Sequence, residues 1–409
     1  MLSKKIFLLS ALFSYQFSYG MTTSQTVIPG VVYQKITQTS PLPLVIYILM
    51  VDPLLANIQL VNATSSELNS ELVLSMASRS NISLGIPAAA AINGIYFRRC
   101  GRFNGNALRI MKLGSTFYND PQFTSGAIGW DPNGTTLFSR IQSTWTLMIN
   151  GISYPVNRVN QPRGQGEAVL YTDVFAETTL TDINGTEIII NGGAVTNVNT
   201  SCNSTIPSGG FVYSVSSSSK VSILSIQAGM PASVSNSITV LNSPGLVFNG
   251  FFMLGAMPLL YNNSGAQPTV AQWTADLTSG VPIVNTADEV SLNFNTSAQI
   301  STLINTRQAR TAIGITVNGK WAFVVVDGAQ PASVGMTLSE LTTFMQSLNC
   351  VSAVNLGGAG DSTMVVSNSV VNNPSGDIVC SPGSFGVARP VAESICIYPR
   401  NQAPGVATT

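Results

Sequence analysis

Histidine is absent from the 409-residue chain. That excludes Ser-His-Asp and Cys-His nucleophilic catalysis and any His-ligated zinc site. Acid–base chemistry must then come from Asp, Glu, Tyr, Lys or Cys. Charge is also scarce. Charged residues make up 9% of the chain, and 18 Lys and Arg balance 18 Asp and Glu. No long run of like charge occurs, so a nucleic-acid groove or a basic membrane-binding face is not expected. Fixed-period repeats and strong linkers are missing too. The acids Asp131, Asp182 and Glu187 lack EF-hand spacing and read as turn residues.

What is present is a chain long enough to bury a large core. Lys4 and Lys5 precede an apolar stretch, and Ser18-Tyr19-Gly20 supplies the small residues of a cleavage site. Residues 1–20 therefore read as a signal peptide and the protein as secreted or periplasmic. Residues 41–55 are apolar, but Pro43, Asp52 and Pro53 interrupt a run already too short to span a bilayer. No membrane anchor is expected. Export permits disulfides among Cys100, Cys202, Cys350, Cys380 and Cys396, with no pairing readable from their spacing. Asn81, Asn184 and Asn295 open N-x-S/T triplets.

β-branched residues and Asn-Gly pairs at 133, 150, 184 and 318 predict many strands and hairpins. A helix is predicted over residues 66–79. The most organised stretch is 310–363. Residues 321–326 form an apolar run that suits a buried strand and ends at Asp327-Gly328. Residues 337–348 carry apolar side chains on one helical face, opened by a Thr337/Glu340 capping box. Residues 351–356 form a second apolar run, leading into a glycine-rich turn at 357–360 and then Asp361, Ser362 and Thr363. Strand, helix, strand predicts a βαβ unit with two parallel strands. If these are neighbours, their ends share the sheet edge where such sheets place ligands. The expected fold is α+β: a strand-rich mixed α/β domain with a central βαβ unit. It spans 21–409 as a single domain, with a strand-rich lobe at 175–300.

Taken by themselves, the residues leave alternatives open. Asp327 is a carboxylate in a cleft or a turn aspartate. Arg310 is a candidate for bidentate capture of phosphate or a member of a structural ion pair, and Arg98, Arg99 and Arg102 are its rivals. Asn93, before Gly94, is a sugar- or phosphate-binding amide or part of a turn. Tyr96 is placed to stack on a sugar, whereas Phe97 suits the core. Gly357, Gly358 and Gly360 suit a backbone nest for phosphate oxygens, lined by Asn355, Asp361, Ser362 and Thr363. That turn lacks the lysine of a P-loop and the spacing of a dinucleotide fingerprint. Gly-Asp-Ser at 360–362 has the form of an esterase turn, but no histidine exists to activate the serine.

Five segments in order resemble the phosphodiester glycosidase family. They are AINGIYF at 91–97, NQPRG with VLYT at 160–172, RTAIGIT at 310–316, VVVDGAQ with VGMTLSEL at 324–341, and NLGGAGDSTMVV at 355–366. The tail NPSGD…ARPVAESI also looks like the family's closing segment. The resemblance implies an exported hydrolase that cleaves a sugar-1-phosphodiester, such as N-acetylglucosamine linked through phosphate to a glycan. Free sugar and a phosphomonoester would be the products. With it, Asp327 becomes the catalytic carboxylate, and Asp361 is added in support as the acid that takes over for the aspartate lost from the loop. Asn93, Tyr96, Arg310, Gly328, Asn355, Gly357, Gly358, Gly360, Ser362 and Thr363 become substrate-binding. The partner is a phosphorylated glycan or sugar phosphodiester; no cofactor is implied, and a divalent cation is left open. The family's loop usually reads N-L-D-G-G-G-S-T-T. Here Gly357 stands at the aspartate position, Ala359 at the middle glycine and Asp361 at the serine. That departure motivates an alternative: a non-catalytic glycan-binding or surface-interaction protein on the same scaffold.

Overall fold

The computed structural model describes residues 20–400, apart from 65–66, 80–84, 100, 133, 242–249, 264–267, 279–296 and 377–384. Residues 1–19 of the proposed signal peptide, Cys100, Cys380, Asn81, Asn295 and the Asn133 of one expected Asn-Gly turn lie outside the described residues. No helix among the described residues is long and apolar enough to cross a membrane.

Strands dominate. Among the described residues they form two seven-stranded and two five-stranded sheets. The α-helices among the described residues are Val73–Ser78, Val270–Thr278, Ser297–Asn305 and Leu338–Ser347. The architecture is therefore mostly β, not the α+β class expected from the sequence. Where a helix was predicted over 66–79, the chain forms one only at Val73–Ser78. Glu67 is drawn away from a helical pattern, its carboxyl taking Asn106 Nδ2 and the Ala107 N–H.

The central sheet runs Met21–Ile28, Val31–Gln38, Leu44–Val51, Trp321–Val326, Arg310–Thr316, Cys350–Asn355, Leu259–Tyr261. Each neighbouring pair is antiparallel. This corrects the expected βαβ unit. Trp321–Val326 and Cys350–Asn355 do run the same way, and the Leu338–Ser347 helix does connect them. But Arg310–Thr316 lies between them and pairs with both. The reason is local. Thr316 and Trp321 are separated by a short turn at Asn318-Gly319, with Gly319 at φ +73°. Closing that hairpin orders far fewer residues than a crossover, so the hairpin strand takes the place beside 321–326.

Other local signals formed as read. Thr337 caps the helix: its side chain accepts from Glu340 N at 3.1 Å, and Glu340 Oε2 accepts from Thr337 N at 2.9 Å. Such a cap is worth about 1 kcal/mol. Asn150 and Gly151, at φ +50° and +79°, join Thr136–Ile149 to Ile152–Pro155 in a two-residue turn. Asn184-Gly185 makes no hairpin, because Gly185 opens the strand Gly185–Asn191.

Both faces of the central sheet are covered, which explains its unbroken apolar runs. Tyr47, Leu49, Ile313 and Phe323 pack with Ile92 and Ile395 of a five-stranded sheet and with Ile128 and Leu254 of the second seven-stranded sheet. Ile46, Ile48 and Val324 pack beneath helical Trp273, Leu303 and Phe344. The sheet order brings three chain points to one edge: the end of Trp321–Val326, the start of Arg310–Thr316 and the end of Cys350–Asn355.

Candidate functional site

Asp327 leaves the central sheet with its backbone tied, its N–H donating to Val45 O at 3.1 Å and its carbonyl accepting from Ser333 Oγ at 2.6 Å. Its carboxyl is saturated by protein donors. Tyr47 Oη donates to Oδ2 at 3.1 Å, Asn372 Nδ2 to Oδ1 at 3.1 Å, and Asn373 N to both oxygens at 3.1 and 3.2 Å. Burial pushes this carboxyl above the usual carboxylate range, against the opposing pull of those bonds and of Lys35. Gly328 follows because the Ala309 backbone leaves no room: a Cβ there would meet Ala309 N at 2.1 Å.

Asn372 joins this turn to the second one. Besides Asp327, its Nδ2 donates to Ser362 O at 2.9 Å, and its Oδ1 accepts from Met364 N at 2.8 Å. The two turns singled out in the sequence thus share one hydrogen-bonded network.

Asn93 pins the glycine-rich loop from the other side. Its Nδ2 donates to Gly357 O at 2.8 Å and to Gly94 O at 3.1 Å. Its Oδ1 accepts from Thr311 Oγ1 at 2.9 Å and from Thr363 N at 3.0 Å. Ser362 Oγ lies 3.2 Å from Thr311 Oγ1. Asn355 donates to Leu356 O at 3.0 Å and to Met257 O at 2.5 Å. These amides hold the loop in shape from inside the protein.

Arg310 is fully buried and its guanidinium is occupied. Nε donates to Met336 O at 2.8 Å, and Nη2 to Leu303 O at 2.7 Å and Thr306 O at 3.0 Å. Burial lowers its pKa to about 10, against the pull of the Tyr96 hydroxyl beside it. Tyr96 is buried among Arg310, Asp361 and Gly358, and burial raises its pKa.

Asp361 ends the 3₁₀ turn Ala359–Asp361. Its Oδ1 accepts from Arg389 Nη1 at 3.0 Å, and Arg99 contributes a second positive field. Burial raises the Asp361 pKa while both guanidiniums oppose it. Arg389 in turn is lowered by burial, raised by Asp361 and lowered by Arg99, so two guanidiniums sense one another across this carboxylate. Asp361 and Gly358 are buried, whereas Arg99, Ala359 and Arg389 are partly exposed. Solvent meets the polar network at these three residues and also at exposed Asn373, whose N–H bonds Asp327. Arg389, placed by the closing segment before the strand Glu393–Pro399, was not among the residues singled out from sequence. Its signal was an arginine in a chain with so little charge. Arg98 and Arg102 point elsewhere: Arg98 to Asn106 and Gln161, Arg102 to Asp182.

Among the described residues, no group of three Cys, Asp or Glu is arranged to hold a metal ion. Cys202, Cys350 and Cys396 are buried free thiols.

The phosphodiester glycosidase family model matches residues 184–398, more than half of the sequence. The chain belongs to the phosphodiester glycosidase family. It is 30% identical over 109 residues to the mouse N-acetylglucosamine-1-phosphodiester alpha-N-acetylglucosaminidase, covering 26% of this chain and 20% of the relative. The human enzyme of the same name is 31% identical over 109 residues, covering 26% and 21%. The matches thus span about a fifth of these curated relatives. Two solved structures share the fold. A Synechocystis protein superposes with TM-score 0.72 at 18% identity, covering 93% of this chain and 64% of that one. A Burkholderia pseudomallei protein described as exported gives 0.68 at 21% identity, covering 87% and 74%. Within this phosphodiester glycosidase domain, the segments at 310–366 that carried the resemblance form the network around Asp327, Asn93 and Asp361.

Proposed function

We propose that this protein is an exported hydrolase of sugar-1-phosphodiesters, and that Asp361 with Arg389 and Arg99 forms its reactive centre. The observation that carries the proposal is the Asp361 carboxylate, 3.0 Å from Arg389, beside a second guanidinium and next to the glycine-rich turn. Arg99 and Arg389 hold the phosphodiester oxygens, with the charge-assisted bonds that suit a planar guanidinium. Asp361 takes the proton of the attacking water. The C1–O bond to phosphate breaks, a C1–OH bond forms, and the phosphomonoester leaves with its oxygen. A phosphate ester is a good leaving group, so one carboxylate suffices. Asp327, Asn93 and Asn355 shape the loop. Arg310 anchors the sheet edge rather than the substrate.

The test is incubation of purified protein with a synthetic N-acetylglucosamine phosphodiester, with free sugar measured. Release by wild type and its loss in Asp361→Asn support the reading. Failure of wild type to release sugar across pH, with divalent ions added, ends it. A non-catalytic glycan-binding role is the second reading, favoured by Gly357 at the family's aspartate position. Saturable binding of the same compound without release supports that alternative.

A further inference from the structure

The strand Glu393–Pro399 is buried as far as Tyr398 and opens with two polar side chains, Glu393 and Ser394. Glu393 is fully buried. Its carbonyl accepts from Gly94 N at 3.0 Å, and its Oε1 accepts from Ile95 N at 2.5 Å. Among the described residues, Oε2 has no hydrogen-bond partner. The carboxyl lies so close beneath the turn that a Cβ on Gly94 would meet Oε1 at 2.3 Å. That turn carries the loop of the site, because Gly94 O accepts from Gly357 N at 2.9 Å and Asn93 holds Gly357 O.

The charged and titratable groups around Glu393 come from several elements. Asp361, on the 3₁₀ turn, acts on it directly. Glu67, 1% exposed, also senses it and has its own unpartnered Oε2. The cations serve the other acids: Arg98 acts on Glu67, while Arg389 and Arg99 act on Asp361. Among the described residues, Glu393 thus has one N–H on Oε1, two acidic neighbours and no salt bridge. A buried carboxylate in that position is costly, and the neutral acid is the cheaper form. In line with this, burial, assisted by Asp361, pushes its pKa up to about 8.

We propose that Glu393 is a positioning residue of the Asp361 site and serves it as the neutral acid. Neutral Glu393 holds the Asn93–Ile95 turn beneath Gly357 and adds no negative charge beside Asp361. The ionised form repels Asp361, weakens the Asp361–Arg389 arrangement and loosens the loop. The inference about activity rests on the hydrolase reading; the inference about charge does not.

Two measurements separate these. The first needs no substrate: urea unfolding of wild type and Glu393→Gln at about pH 5.5 and about pH 8.5. A raised acid pKa gives stability that is full below the unfolded-state value and is lost as pH rises toward the folded-state value. The wild-type midpoint should therefore fall across this interval, and that of Glu393→Gln should fall less. Equal falls overturn the proposal. If Glu393→Gln does not fold, Asp361→Asn replaces it: removing that charge should move the loss to lower pH, and an unmoved transition overturns the proposal. The second measurement is the pH profile of sugar release. Glu393→Gln should carry the alkaline limb upward by about one pH unit or more, whereas a merely structural role leaves the profile's shape unchanged. A profile that coincides with wild type overturns the proposal. If wild type releases no sugar, the hydrolase reading fails, and the unfolding measurement still decides the charge of Glu393.

Discussion

Asp361 and Arg389 meet at 3.0 Å, joining the 3₁₀ turn after the central sheet to the closing segment of the chain. Both side chains are largely buried, at 4% and 12% exposed. Removing one partner of such a pair strands the other charge. Arg389→Ala should cost about 3 kcal/mol of stability, read as a lowered urea midpoint. A double variant with Asp361→Asn should recover part of that loss, since no unpaired carboxylate remains. Additive losses in the double variant would show that the two groups are not coupled.

Asp327 and Asp361 should behave differently on neutralisation. Asp327 accepts from Tyr47, Asn372 and Asn373, so Asp327→Asn turns an amide N–H₂ toward donors. The expected cost is about 1–3 kcal/mol. Sugar release at a temperature where the variant stays folded should fall by no more than about tenfold. Asp361→Asn should lower kcat by about a hundredfold or more, as expected for a general base. Equal catalytic losses would return Asp327 to the reacting centre.

The acid limb of activity should report Asp361. A general base works when deprotonated, and burial raises this carboxyl more than Arg389 and Arg99 lower it. Activity should therefore decline at a pH above the usual aspartate range as the solution is acidified. A pH profile of kcat/KM on the free enzyme reads this directly. A limb at the ordinary aspartate value contradicts the assignment.

Gly357→Asp puts a carboxylate at the family's usual position but in altered surroundings. A Cβ there would lie 3.0 Å from Gly94 O and 3.1 Å from Ile95 O. Crowding against two carbonyls should destabilise by about 1–3 kcal/mol, with sugar release unimproved. Thermal melting and the sugar assay check the two halves separately. A stable, faster variant would mean that the loop repacks readily around a carboxylate.

Much of the local structure was legible. The 321–326 strand, the Thr337–Glu340 cap and the Asn150-Gly151 turn each rest on neighbours within a few residues, where backbone sterics and side-chain periodicity suffice. The site was legible in part. Asp327, Asn93, Asn355, Arg310 and the 357–363 loop do cluster, but the cluster's own hydrogen bonds consume Asp327, Asn93 and Arg310. Arg389 and Glu393 lie in the closing segment but carried no site role, because neither has a local pattern that points to one; their partners Asp361 and Ile95 lie 28 and 298 residues away.

By itself, the sequence determined which chemistry was unavailable, since no histidine means no imidazole base. It also determined where strands and caps form, through short-range periodicity and turn residues. Tertiary structure alone decided that Arg310–Thr316 separates the two parallel strands, and which acids lie near which guanidiniums. Those outcomes depend on competition among distant segments for the same edge and the same buried space, and no window of neighbouring residues encodes that competition.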